Sequence, residues 1–244
     1  MRWRGLGRSQ PPEQRDVATT ATASLGWSFV LLLAFDTATA AVTVALHDGT
    51  AVIARESAVD ARRHGELLAV FIDKVLHSGG AGRGDLTSIA VGTGPGPYTG
   101  LRAGLVTGRV LASALGIRLD GACSLDVIAA GARDQVTGEF LVATDARRRE
   151  VYWARYHPDG RRVDGPWVSR PAEVPGGLPV AGQGALLYPD LAANALEPRF
   201  PEAAQLAELV AARLIAGEAP APAEPLYLRR PDAREPGRPK RVTP

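Results

Sequence analysis

The 244 residues are 45% hydrophobic with a formal net charge of +2, enough chain and apolar material for one large buried core or two modest ones. No apolar stretch approaches the roughly 20 residues of a membrane-spanning helix, and the single cysteine, Cys123, excludes an intramolecular disulfide and a cysteine-based zinc site and fits a reducing compartment. The basicity sits at the ends: residues 1–16 hold four Arg against two acids and residues 229–244 six Arg or Lys against two, leaving about −4 in the middle and arguing against a general cationic binding face.

In chain order, residues 1–28 read as a disordered extension. Its arginines and the apolar run 25–35 outline a signal peptide, but Glu13 and Asp16 interrupt the charged part and the run passes straight into Asp36 and an alternating strand pattern. Residues 30–36 predict a buried strand, the alternation of Val42, Val44 and Leu46 a second, His47-Asp48-Gly49-Thr50 a turn, and 51–57 a third. Over 64–77, Leu67, Leu68, Phe71, Ile72, Val75 and Leu76 recur at helical spacing before Ser78-Gly79-Gly80. A strand is expected at 86–91, then a Gly/Pro loop and a helix capped by Thr99 and stopped after Leu115 by Gly116. Ser124 and Asp126 open a short helix to Ala132. A second meander is expected at 139–145, 151–157 and 163–169, with Arg147, Arg148 and Arg149 in a solvated hairpin turn. Residues 171–184 are broken by Pro and Gly, 203–216 form an Ala/Leu helix, and beyond Glu218 a Pro-rich basic tail has little to bury besides Leu226, Tyr227 and Leu228. Strands followed by helices, given twice, predict two α/β lobes, 29–115 and 116–218, before a tail over 219–244.

The segment Gly92-Thr93-Gly94-Pro95-Gly96-Pro97-Tyr98-Thr99-Gly100 lies between a strand and a helix, where backbone amides often cradle phosphate. Its spacing matches neither the dinucleotide fingerprint nor a Walker loop, and Pro95 and Pro97 each remove a donor. Asp36 and Thr37, ending the first strand, could face a phosphate or magnesium, or simply cap a turn. Gly100, Gly104, Gly108 and Ala112 return to one helix face every four residues. Interior glycine costs about 1 kcal/mol relative to alanine, which close approach by another element of this chain, or of a partner, would offset. His47, His64, His77 and His157 are scattered with no His-x-x-x-His pair for a helical metal site, and no Gly-x-Ser-x-Gly marks a serine nucleophile.

Phe35-Asp36-Thr37-Ala38-Thr39, His64-Gly65-Glu66-Leu67-Leu68, the run from Gly94 to Gly104 and the late Pro225-Leu226-Tyr227-Leu228-Arg229 together resemble the TsaB (YeaZ) family, companion subunits in threonylcarbamoyladenosine synthesis on tRNA. The resemblance spans about residues 29–232. It implies an α/β chain with the actin-like ATPase (ribonuclease H-like) fold, in two lobes with the second reduced. It also implies a cytoplasmic, non-catalytic scaffold or activator with no cofactor and no metal. The implied partners are a TsaD-type transferase, which modifies adenosine 37 of tRNAs reading codons that begin with A, and a TsaE-type accessory ATPase. Contact with tRNA would be indirect, with no membrane contact, and a weak homodimer could form through the same helices. In the family the first two helices meet the transferase, which would place His64, Leu68, Phe71, Ile72, Val75, Tyr98, Leu101, Gly104 and Gly108 at the interface. Asp36, Thr37, Gly94 and Gly96 would be remnants of a nucleotide site. Pro97-Tyr98 departs from the family's usual Ser-Phe, and the N-terminal extension is atypical. The competing reading is a stand-alone small ATPase or kinase that holds magnesium nucleotide at Asp36 and Thr37.

Overall fold

The apolar pentapeptide Leu32–Asp36 forms β1, and all five of its residues are buried, as a central strand covered on both faces requires. In the computed structural model, which describes residues 30–191 and 194–229, β2 (Ala41–His47) and β3 (Val52–Val59) continue β1 as an antiparallel meander. On its other side β4 (Ser88–Gly92) and β5 (Arg118–Ala122) add in parallel, giving the order β3-β2-β1-β4-β5. Parallel neighbours need crossovers, and these are the helices α1 (His64–Ser78) and α2 (Tyr98–Leu115). Both lay their apolar stripes on one face of the sheet, against Leu33, Phe35, Leu46 and Val91.

The second half repeats the plan. β6 (Phe140–Asp145), β7 (Val151–Tyr156) and β8 (Arg162–Ser169) form an antiparallel meander, and β9 (Pro179–Ala181) and β10 (Asn194–Leu196) add parallel beside β6 in the order β10-β9-β6-β7-β8. Read from their meander edges the two sheets share one strand order and one set of directions, so the chain has the duplicated plan of the actin-like ATPase (ribonuclease H-like) fold. The copies differ in their crossovers. Helices of 15 and 18 residues in the first half are replaced by a three-residue 3-10 turn at Pro171–Glu173 and the four-residue α4 (Gly184–Leu187).

Two helices cross between the halves. α3 (Ser124–Ala132) follows the first sheet but packs on β6, β7 and β9, while α5 (Ala203–Ile215) follows the second sheet and covers the free face of the first. In α5 the buried set Ala203, Ala204, Leu206, Ala207, Val210 and Ala211 repeats at helical spacing and meets Leu32, Ala34 and Ala90. The halves therefore do not divide after residue 115, because β5 and α5 both belong to the first sheet.

The expected tail is also different as far as residue 229. Buried Asp120 on β5 accepts both Arg118 Nε at 2.5 Å and Arg118 Nη2 at 2.8 Å, and its Oδ1 also takes the Ala221 N–H at 3.1 Å. Gly121 donates to the Ala221 carbonyl, Arg109 to the Ala223 carbonyl at 2.8 Å, and Leu226 N–H to the Thr93 carbonyl at 2.8 Å. Arg229 reaches the Ala146 carbonyl and pairs with Glu150 in the second half. Residues 218–229 thus form a strap from β5 over the Gly/Pro loop to the β6–β7 turn. The expected extension over 1–28 and the end of the tail lie outside the described residues. Among the described residues no helix is long and apolar enough to cross a membrane.

Candidate functional site

β1 delivers Asp36 to a sharp turn, and the Gly/Pro loop folds over that turn. Buried Asp36 uses Oδ1 to accept the Ala38 N–H at 2.7 Å and Oδ2 to accept the Ser124 hydroxyl at 2.5 Å. Ser124 is itself held by the loop, since its Oγ accepts the Gly94 N–H at 3.1 Å and its N–H donates to the Gly94 carbonyl at 2.8 Å. That engagement is why Ser124 does not cap α3, whose N-cap is Cys123. A Cβ at Gly92 would run into the Asp36 carboxylate, and one at Gly96 into the Ala38 carbonyl. Burial pushes the Asp36 carboxyl up to about 6 from its ordinary 3.8, against the opposing bonds from Ser124 and Ala38 and the charge of His64.

Thr37 explains the glycine stripe. Its hydroxyl donates to the Gly100 carbonyl at 2.7 Å and accepts the Gly104 N–H at 3.0 Å, the two groups that a regular helix would join to each other. A Cβ would come within 2.7 Å of the Thr37 carbonyl at Gly100, 2.6 Å of Thr37 Oγ1 at Gly104 and 2.6 Å of the Val91 side chain at Gly108. The close approach is therefore internal: α2 sits on its own β1 turn and sheet. Helix α2 begins at Tyr98 after the extended Pro97, so Thr99 lies in the first turn and does not cap it. Asp36, Thr37, Gly94 and Gly96 do come together, but through contacts that close the loop onto the turn.

The expected interface residues mostly face inward. Leu68, Phe71, Ile72 and Val75 of α1 and Leu101 of α2 lie in the first core. Gly104 and Gly108 are buried, and half-buried His64 holds Nε2 2.8 Å from the Thr39 carbonyl. The reason is that a helix turns its widest apolar stripe to its own sheet. Of the nine, only Tyr98 is exposed. Sequence reading passed over the outward set: Val70 on α1, 49% exposed, with Val106 and Val110 on α2 at 57% and 60%. The signal was present, because Val106 and Val110 are one turn apart and lie about 200° around the helix from Gly104 and Gly108. α1 and α2 touch, so these side chains are on adjoining helices.

Tyr98 fixes the strap to the start of α2. Its ring stacks on Tyr227 with centroids 5.6 Å apart, the Arg102 guanidinium lies 3.7 Å over it, and Arg102 Nε donates to the Tyr227 hydroxyl at 3.1 Å. A second Asp and Gly-x-Gly set also went unread: Asp145 ends β6 as Asp36 ends β1, and Gly182-Gln183-Gly184 follows β9, both glycines packed against Ala143. Its signal was hidden by a strand only three residues long. At the base of α3, burial and the neighbouring Asp126 push the Cys123 thiol up to about 12. Because the thiolate is the reactive form, native protein at about pH 8 should resist a thiol-specific chromogenic reagent until denaturant is added. Rapid stoichiometric labelling of the folded chain would contradict that burial.

Comparison with known proteins agrees with this geometry. A family model described as "TsaD: tRNA N6-adenosine threonylcarbamoyltransferase" matches residues 53–213. An uncharacterized protein of Mycobacterium tuberculosis is 45% identical over 207 residues, covering 83% of this chain and 93% of that one. The tRNA threonylcarbamoyladenosine biosynthesis protein TsaB of Escherichia coli is 36% identical over 130 residues, 52% of this chain and 55% of that one. Among solved structures, YeaZ from Pseudomonas aeruginosa superposes with a TM-score of 0.71 at 29% identity, covering 82% of this chain and 100% of that one. With its duplicated sheets and its Gly/Pro loop closed on the β1 turn, the chain belongs to the family that this model describes, and within it to the TsaB (YeaZ) family.

Proposed function

We propose that the chain is a non-catalytic scaffold or activator subunit in the synthesis of threonylcarbamoyladenosine at adenosine 37 of tRNAs reading codons that begin with A. The similarity to the Escherichia coli threonylcarbamoyladenosine biosynthesis protein supports the reaction, and the matching family model supports a TsaD-type transferase as partner. The observation that carries a subunit role is the outward pair Val106 and Val110, one turn apart on the exposed face of α2. Apolar side chains left exposed beside an otherwise well-buried helix pair suit a protein partner. A TsaE-type ATPase is the second partner in this reading, and tRNA is reached through the transferase.

The stand-alone ATPase reading is disfavoured by the engagement of both Asp36 oxygens and of the Thr37 hydroxyl within the chain. Titration of the lone protein with magnesium ATP separates the two, since micromolar binding would favour the enzyme. The interface is tested by the double variant Val106→Glu and Val110→Glu. Central interface anchors are worth about 2 kcal/mol or more, so affinity for the purified transferase should fall at least ~30-fold while the melting temperature stays near that of the wild type. Undiminished co-elution with the transferase would refute this placement of the interface.

A further inference from the structure

We infer that the recess where α3, the β7–β8 turn and α5 meet is a binding site for a phosphate-bearing anion. The recess has a volume of about 190 Å³, and four arginines line it: Arg133 beside the end of α3, Arg161 and Arg162 at the turn, and Arg213 on α5. The acidic lining residues are Asp126 and Asp159, which leaves two positive charges in excess. This is a local feature, since the chain between its basic ends is net negative.

Arg162 has the nearest carboxylate of the recess, and the Arg213 charge also acts on that carboxylate, Asp126. Arg162 Nε lies 3.3 Å from Asp126, whose Oδ1 also accepts the Tyr156 hydroxyl at 2.8 Å. Arg161 stands 4.0 Å from Asp159, the limit of an ion pair, and Arg133 is 3.7 Å from Asp134, which is 91% exposed. Arg213 donates to the Gly121 carbonyl at a long 3.5 Å. Each of these is weak against what a guanidinium gains from an oxyanion, whose paired oxygens match its fork. A recess of this volume has room for a phosphate or pyrophosphate group with the remainder of the ligand outside. The cations come from three stretches far apart in sequence, and α5 belongs to the first sheet while α3 and the turn belong to the second. A bound anion would therefore bridge the two halves. This inference does not rest on the proposed function.

The same chemistry is offered by a free phosphate compound and by an RNA backbone. The test is calorimetric titration of the full-length chain with sodium pyrophosphate and, separately, with a short single-stranded RNA, at matched ionic strength, for wild type and for Arg161→Gln with Arg213→Gln. Arg162, which pairs with Asp126, is left in place, and a melting curve checks that the variant is folded. We expect one ligand to lose at least about tenfold in affinity in the variant. Loss for pyrophosphate identifies a small anion as the ligand, and loss for RNA without pyrophosphate binding identifies the backbone. Absence of binding by both, or binding equal in wild type and variant, overturns the site.

Discussion

Gly104→Leu should destabilise the chain itself by about 3–5 kcal/mol, a large part of the roughly 5–15 kcal/mol that holds an ordinary domain folded. The first carbon of the new side chain would come 2.6 Å from Thr37 Oγ1, and Thr37 has little room to yield. Its hydroxyl is tied to Gly100 and Gly104, and its carbonyl lies under the Gly100 position. Seating the leucine means moving α2 away from the β1 turn. Such a shift leaves buried hydrogen-bonding groups unpaired and opens Leu101 and Leu105 to water. Urea unfolding followed by circular dichroism reads the effect directly, with Val106→Leu as the control expected within about 0.5 kcal/mol of wild type. A Gly104→Leu protein with the wild-type midpoint would mean that the glycine face is not seated on Thr37. The substitution consequently cannot report on partner binding, because it alters the fold first.

That distinction shows what a linear reading can reach. The meanders around β1 and β6 and the helices α1, α2 and α5 were legible because their burial follows a period of two or of 3.6. The direction in which the glycine stripe points was not, since four-residue spacing specifies a close approach without saying what approaches. β5 was missed because Arg118-Leu119-Asp120-Gly121-Ala122 lacks a strand-like apolar pattern. It can be a strand because Arg118 and the Ala221 amide satisfy Asp120, and because Gly121 leaves room for the Pro222 carbonyl. The Ala221 amide and the Pro222 carbonyl come from a segment about 100 positions downstream that itself reads as tail. The candidate site divided the same way. Asp36, Thr37, Gly94 and Gly96 were recognisable as a group, yet their burial and mutual contacts depend on Ser124 and on the fold of α2. The arginine recess drew on three segments with no local signal in common.

Asp36→Asn tests the electrostatic state of that junction. With its carboxyl at about 6 in the fold and an ordinary value of 3.8, Asp36 favours the folded state most when it is protonated in both states, below about pH 3.8. That contribution is lost as pH rises through about 6, because the fold must then hold a buried charge that the unfolded chain holds in water. Above about pH 7 the accumulated loss is roughly 3 kcal/mol. An asparagine has no such charge, while its carbonyl can still accept the Ala38 N–H and its amide can still meet Ser124 Oγ. The unfolding free energy of the wild type, measured relative to Asp36→Asn, should therefore fall by about 3 kcal/mol between about pH 3 and pH 7 and then level off. Taking the difference cancels the titration of the remaining carboxylates, including Asp126, whose carboxyl is also raised by burial. A difference that stays flat across this range would show that the Asp36 carboxylate is solvated, and the closed junction on which the scaffold reading draws would be lost with it.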